Sequence, residues 1–240
     1  MTRVRLPGPL NGLSVGAVLL FLAASNPAFA SVIVGLPADS GTGNCYPFGC
    51  NYVSSQYQQV YTQGAFSGPI TITGLEFYNT QYNSGATGMN TGTFTLSLST
   101  TSADWNTLSS VYANNIGGDN TQVFSGSLAQ SWAFGDTLVI AFSTPFTYTP
   151  GPGANLLLNI IATGTGDAAG DIYFDSNGNN SGGFNGDTIM GRVYLSGSVN
   201  SGYGLVTGFD SAVPEPATFA MLGGGIALLA AVRLRRNRRA

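Results

Sequence analysis

The densest potential chemistry in the 240-residue sequence lies between Asp167 and Asp187. Asp171 precedes the run Asp175-Ser176-Asn177-Gly178-Asn179-Asn180-Ser181, and Asp187 follows it. Oxygen-bearing side chains at alternate positions, Asp175, Asn177 and Asn179, match the opening of a calcium loop, because a hard cation is held by a ring of carboxylate and amide oxygens. The match then breaks. The sixth position is Asn180, where an EF-hand turns on glycine, and the twelfth is Gly186, where it closes with a bidentate glutamate. The plainer reading is a solvated turn, since Asn, Asp and Gly adopt left-handed conformations at little cost. Calcium, with Asp171, Asp175, Asn177, Asn179 and Asp187 as candidate ligands, is the one cofactor these residues suggest; otherwise none is expected.

Trp105 and Trp132, each beside Asn, Asp or Gln, offer ring faces on which a sugar could stack, although tryptophan in a β-rich chain more often fills the core. Glu76 is the one glutamate between residues 31 and 212 and invites comparison with the paired carboxylates of glycosidases. It alternates with Leu75 and Phe77, which places it on the solvent face of a strand, and no second carboxylate is assigned to it. Other familiar active sites are excluded by composition. The chain has no histidine and its eight cations are all arginine, so Ser-His-Asp triads, Cys-His pairs, lysine Schiff bases and the Walker lysine cannot be built. The chain is therefore expected not to be an enzyme.

Charge falls into three blocks. Arg3 and Arg5 lie at the N-terminus and Arg233, Arg235, Arg236, Arg238 and Arg239 at the C-terminus, which leaves Arg192 alone against ten acids between residues 31 and 212. So acidic a segment has no affinity for nucleic acid phosphates, which demand clustered cations.

Both ends read as addresses. The two arginines, the uncharged run Leu13 to Ala24 and the small-x-small site Ala28-Phe29-Ala30 are the three regions of a secretory signal peptide, giving a leader over 1–30. The apolar run is too short to serve as a retained span, which needs about 20 residues. Export to an oxidising compartment favours a disulfide between Cys45 and Cys50, the only cysteines, across a loop with Pro47 and Gly49. At the other end, Val213-Pro214-Glu215-Pro216 precedes an apolar stretch over 217–232 and the arginine-rich tail 233–240. Arginines arrest translocation and keep the tail cytoplasmic, so 217–232 is expected to be a short transmembrane helix. The prolines hold Val213 and Glu215 extended, a form that an enzyme grips readily.

The Pro-Glu-Pro motif, the short glycine-containing apolar segment and the terminal arginine cluster together resemble the PEP-CTERM sorting signal of exported proteins in Gram-negative bacteria. The resemblance implies that Val213, Pro214, Glu215 and Pro216 are read by an exosortase, a membrane transpeptidase, and that Arg233, Arg235, Arg236, Arg238 and Arg239 act as the stop signal. It also implies an association with exopolysaccharide.

Between the two addresses, residues 31–212 alternate apolar and polar residues with the period of strands. Phe94, Leu96 and Leu98 share one face of Thr93 to Ser99, Ile70 to Phe77 alternates likewise, and Leu138 to Phe142 and Leu156 to Ile161 are apolar runs suited to strands buried on both faces. Gly, Asn, Ser and Thr interrupt any helical stripe. The expected fold is all-β, a single β-sandwich or jelly-roll-like ectodomain, and its wording resembles the β-rich ectodomains that accompany this signal. The expected function is that of a non-catalytic, exosortase-sorted protein, first anchored in the inner membrane and then at the cell surface or in the biofilm matrix. The alternative is a carbohydrate-binding module, calcium-assisted at Asp175.

Overall fold

A computed structural model describes residues 29–35, 43–50, 54–80, 88–164, 172–177 and 188–212. Most of the expected leader and the whole segment 213–240, with its motif, apolar stretch and arginines, lie outside the described residues.

The described chain is all-β. Its strands are β1 (Phe29–Val34), β2 (Gly43–Asn44), β3 (Ser54–Tyr61), β4 (Ile70–Tyr78), β5 (Thr93–Thr101), β6 (Thr121–Gly126) and β7 (Thr137–Tyr148). They continue as β8 (Asn155–Thr163), β9 (Phe174–Asn177), β10 (Met190–Tyr194), β11 (Ser198–Ser201), β12 (Gly204–Leu205) and β13 (Thr207–Ala212). One sheet has the order β1-β13-β4-β7, a larger one β11-β10-β3-β8-β5-β6, and a small one β12-β9-β2. Every ladder is antiparallel.

The alternation in the sequence turns the apolar faces of the two larger sheets onto one core. Ile72, Leu75 and Phe77 of β4, Leu138 and Ile140 of β7 and Phe209 of β13 share it with Tyr57 and Tyr61 of β3, Phe94, Leu96 and Leu98 of β5 and Leu156, Leu158 and Ile160 of β8. Aromatic rings join the layers: Phe209 meets Tyr61 edge-on at 4.9 Å between centroids and Phe66 at 5.2 Å. Cys45 and Cys50 are disulfide-bonded, with Cα atoms 4.8 Å apart. Their loop delivers Phe48, fully buried, among Phe77, Phe94 and Phe174 at 4.9, 5.7 and 5.6 Å.

Two apolar runs with similar sequences take different positions. β8 is buried on both faces, as expected, as far as Ile160, with Ile161 43% exposed beyond it, because the segment around 103–116 covers its outer side: Leu157 packs with Val60 and Leu108, and Asn115 donates to Gln58 Oε1 at 2.9 Å. β7 corrects the same expectation. It is an edge strand with Val139 57% exposed, so only alternate residues enter the core. Its edge position also explains Pro145 within a strand, since a residue without N–H is tolerated where no neighbour requires it. The β4–β7 register slips there, between Ile72 and Gly74.

Because Phe209 is fully buried against the rings of Tyr61 in the facing sheet and Phe66, Phe209→Ala should destabilise the fold by about 3–5 kcal/mol, whereas Val139→Ala should stay within about 0.5 kcal/mol. Urea unfolding followed by tryptophan fluorescence checks both, and equal midpoints for the two variants would contradict the packing described.

Candidate functional site

β13 ends where the Pro-Glu-Pro segment begins: Ala212 is followed directly by Val213-Pro214-Glu215-Pro216. It is an interior strand, flanked by β4 and the edge strand β1. Opposite β1 the partners are Phe29↔Ala212, Ala30↔Ser211, Ser31↔Asp210, Val32↔Phe209, Ile33↔Gly208 and Val34↔Thr207. Opposite β4 the ladder shifts between Asp210 and Ser211 and, among the described residues, ends at Ser211↔Ile72, one residue short of the Phe29↔Ala212 rung with β1. The β-branched run Val32-Ile33-Val34 explains why β1 forms, with Val34 buried and Ile33 56% exposed on the outer face. β1 starts two residues before the expected leader boundary at residue 30, a difference from the sequence reading. The two ends of the exported segment are thus neighbours on one side of one sheet.

The outer face of these strands carries two carboxylates. Glu76 stands opposite Gly208, and Asp210 stands opposite Gly74 on one side and Ser31 on the other. Tyr78 donates its hydroxyl to Glu76 Oε2 at 2.7 Å. Glycine at both paired positions leaves room for these groups, because a Cβ at Gly208 would displace the Tyr78 hydroxyl and one at Gly74 would come within 2.8 Å of Asp210 Oδ2. Partial burial, reinforced by the charge of Glu76, holds the Asp210 carboxyl above its ordinary pKa. Tyr78 is likewise raised, first by burial and then by its bond to Glu76, and stays protonated throughout the physiological range. The face therefore presents hydrogen-bond acceptors. Asp210 is the second acid that sequence reasoning did not assign to Glu76; the alternation Thr207-Gly208-Phe209-Asp210 was the available signal for its strand.

The one cation among the described residues is buried elsewhere. Arg192 is 2% exposed, with its guanidinium carbon 4.1 Å from the centroid of Tyr194 and 4.2 Å from that of Tyr203, and its Nε donates to Asn200 Oδ1 at 3.0 Å. Tyr46 of the disulfide loop continues the stack at 5.1 Å from Tyr194. One terminal nitrogen, Nη1, has no hydrogen-bond partner. Burial pushes the Tyr57 hydroxyl upward, against the opposing pull of Arg192.

The other residues singled out from sequence are scattered. Trp132 is 4% exposed and packs on Phe174 at 5.2 Å, so it is a core residue and presents no ring to a sugar, a correction to the stacking expectation. Trp105 is half-buried, and its backbone carbonyl leaves no room for a Cβ at Gly191. Asp175 and Asn177 lie in strand β9, not in a loop. The Asp175 carboxylate is buried and accepts hydrogen bonds from Thr80 N at 2.8 Å and Thr80 Oγ1 at 2.7 Å, which corrects the calcium-loop expectation at its first ligand. Asp171, Asn179 and Asp187 fall outside the described residues, and among the described residues no three acids or thiols gather around a metal position.

What the described chain defines is an all-β domain whose last strand runs straight into a C-terminal signal. That signal is identified directly: the family model for the PEP-CTERM protein-sorting motif matches residues 212–239. A signal of this kind supports an exosortase substrate, since it marks a membrane-anchored precursor that is then exported to the cell surface. Processing by exosortase, a membrane protein, follows from the motif. No curated protein matches the chain significantly.

Two outcomes follow from the charges. The native state of the full-length chain holds the Asp210 proton more tightly than the unfolded chain, so the stability this group contributes is present below about pH 4 and is lost as pH rises through the raised native value. Asp210→Asn should therefore raise the urea midpoint at pH 7, with the gap closing below about pH 4; a gap that is constant with pH would contradict the raised pKa. Arg192→Met, which keeps the volume between Tyr194 and Tyr203 and removes the orphaned donor, should unfold within about 1 kcal/mol of wild type, and Arg192→Ala about 3 kcal/mol below it. Thermal melts of the two variants separate packing from charge.

Proposed function

We propose that this is a non-catalytic, exported β-sandwich protein whose own sequence supplies its delivery instructions. The leader over 1–30 takes it across the inner membrane, and the apolar segment 217–232 holds it there while Arg233, Arg235, Arg236, Arg238 and Arg239 remain cytoplasmic. An exosortase then cuts near Val213-Pro214-Glu215-Pro216, and the released ectodomain takes its place at the cell surface within an exopolysaccharide matrix. The observation that carries this reading is the sorting motif at 212–239, which begins on the last residue of the last strand.

The absence of catalysis is supported by composition and by the commitment of the most suggestive acid. The sequence has no histidine and no lysine, and Glu76 is hydrogen-bonded by Tyr78 on an open sheet face. A sugar-binding role has less support than a structural one, because Trp132 lies in the core.

Expression of the full chain in membranes with and without the exosortase tests the reading by intact mass. The expected product with the enzyme lacks the arginine tail, and replacing Pro214, Glu215 and Pro216 together by alanine should cut its yield at least tenfold. An arginine tail retained equally with and without the enzyme would overturn the sorting proposal.

A further inference from the structure

The outer face of β1, β13 and β4 gathers negative charge. Asp210 stands in one row with Ser31 and Gly74, and the next row sets Glu76 across Gly208 from Ile33. Partial burial and the charge of Glu76 hold the Asp210 carboxyl above its ordinary pKa. Arg192, the one cation among the described residues, is committed to Tyr194, Tyr203 and Asn200 in the interior. Ser31 looks onto the acidic side. It is exposed, and it donates its hydroxyl to that of Tyr78, which in turn donates to Glu76 Oε2 at 2.7 Å. A residue held in that network keeps its backbone nitrogen beside Asp210, since adjacent strands are only about 4.8 Å apart.

We infer that the amino terminus created by leader removal is the counterion of this face: the Ser31 ammonium pairs with Asp210 across the β1–β13 ladder and ties the first strand of the mature protein to its last. Resting on the leader reading above, the step that creates it is hydrolysis of the Ala30–Ser31 amide by a leader peptidase. Water adds to the Ala30 carbonyl, the C–N bond breaks, Ala30 leaves as a carboxylate on the leader, and Ser31 retains the nitrogen as an ammonium. The cut falls on unpaired chain, because residues 1–30 meet the peptidase before β13, at the far end of the domain, has crossed the membrane to pair with β1. The first strand then forms over 31–34 and keeps four rungs, from Ser31↔Asp210 to Val34↔Thr207.

The unprocessed chain has a neutral amide at the same position, so the repulsion between Asp210 and Glu76 goes unrelieved there. Processing adds one positive charge at the strand terminus, where fraying would otherwise begin. The titratable groups that face the ammonium are Asp210 from β13 and Glu76 and Tyr78 from β4, while β7 brings Val139 and Ala141, which do not titrate. The ammonium holds its proton more tightly in the native state than in the unfolded chain, where its pKa is about 7.7–8.0. Its stabilisation is therefore complete below that range and is lost as pH rises through the higher native value.

With no lysine in the sequence, the α-amino group is the one primary amine of the chain and can be labelled alone. The full chain is exported in cells that lack the exosortase, which leaves its C-terminal segment intact, and intact mass establishes a terminus at Ser31. Reductive dimethylation with isotope-labelled formaldehyde keeps the charge, and NMR follows the titration of the labelled amine in wild type and in Asp210→Asn. The native wild-type amine is expected to hold its proton about threefold more tightly than the amine of Asp210→Asn or of the urea-unfolded chain. In parallel, acetylation, which removes the charge, should speed amide exchange of the β1 peptide about threefold in wild type and leave it unchanged in Asp210→Asn. Equal titration of the amine in the two proteins would overturn the inference. Acetylation that speeds exchange equally in both would do so too, because the charge would then act without Asp210. Should Asp210→Asn fold poorly, the wild-type chain decides alone: an amine that titrates in the native protein as it does in urea overturns the pairing. A retained leader, or a terminus away from Ser31, defeats the leader reading and this inference with it, whereas a Ser31 terminus with an unperturbed amine defeats the inference alone.

Discussion

A single buried amide clamps the chain where it enters its last strand. Gln59 of β3 donates through Nε2 to the Leu205 carbonyl at 2.8 Å and accepts the Leu205 N–H through Oε1 at 2.7 Å, across 146 residues of sequence. Its oxygen also takes the Tyr57 hydroxyl at 2.5 Å, and two residues further along β3 the Tyr61 hydroxyl pairs with Thr207 Oγ1 at 2.8 Å. Gln59 and Tyr61 are fully buried, so a lost partner would leave a polar group without compensation in the interior. This pairing sets the start of β13, and the antiparallel ladders to β1 and β4 carry that placement to Ala212.

With β13 fixed, the rest of the architecture has little freedom. Phe209 must point inward to meet Tyr61 and Phe66, which turns Gly208 and Asp210 outward by the two-residue period of a strand. The glycine leaves space for the Glu76–Tyr78 pair, and Asp210 joins it at the surface. The same period decides which face of β1 is wet. Arg192 shows another solution to a scarcity of charges: with no carboxylate among its described hydrogen-bond partners, it sits against two tyrosine faces and donates through Nε to one asparagine oxygen.

The disulfide loop illustrates how a small feature serves both layers. Cys45 and Cys50 close a turn that inserts Phe48 among rings from β4, β5 and β9 and lays Tyr46 on Tyr194. In a domain with 34 glycines in its chain, each such aromatic plug restores contacts that glycine side chains cannot make.

The sequence by itself determined the class of fold and the address. Period-two alternation in Ile70 to Phe77 and Thr93 to Ser99 is a local property that any packing must respect, and a sorting motif is read as a contiguous peptide. What only the tertiary structure decided depends on distant pairing. Similar apolar runs at Leu138 and Leu156 became a strand with one open face and a strand covered on both, because the segment around 103–116 lies over the outer face of β8 while the outer face of β7 at Val139 stays exposed. Trp132 went inward because Phe174 was there to receive it. Asp175 joined a strand because Thr80 supplied donors for its carboxylate. Asp210 came beside Glu76, and the last residues of the leader beside the last residues of the ectodomain, through a strand register that no local pattern encodes, since register is fixed by which partner buries the inward face.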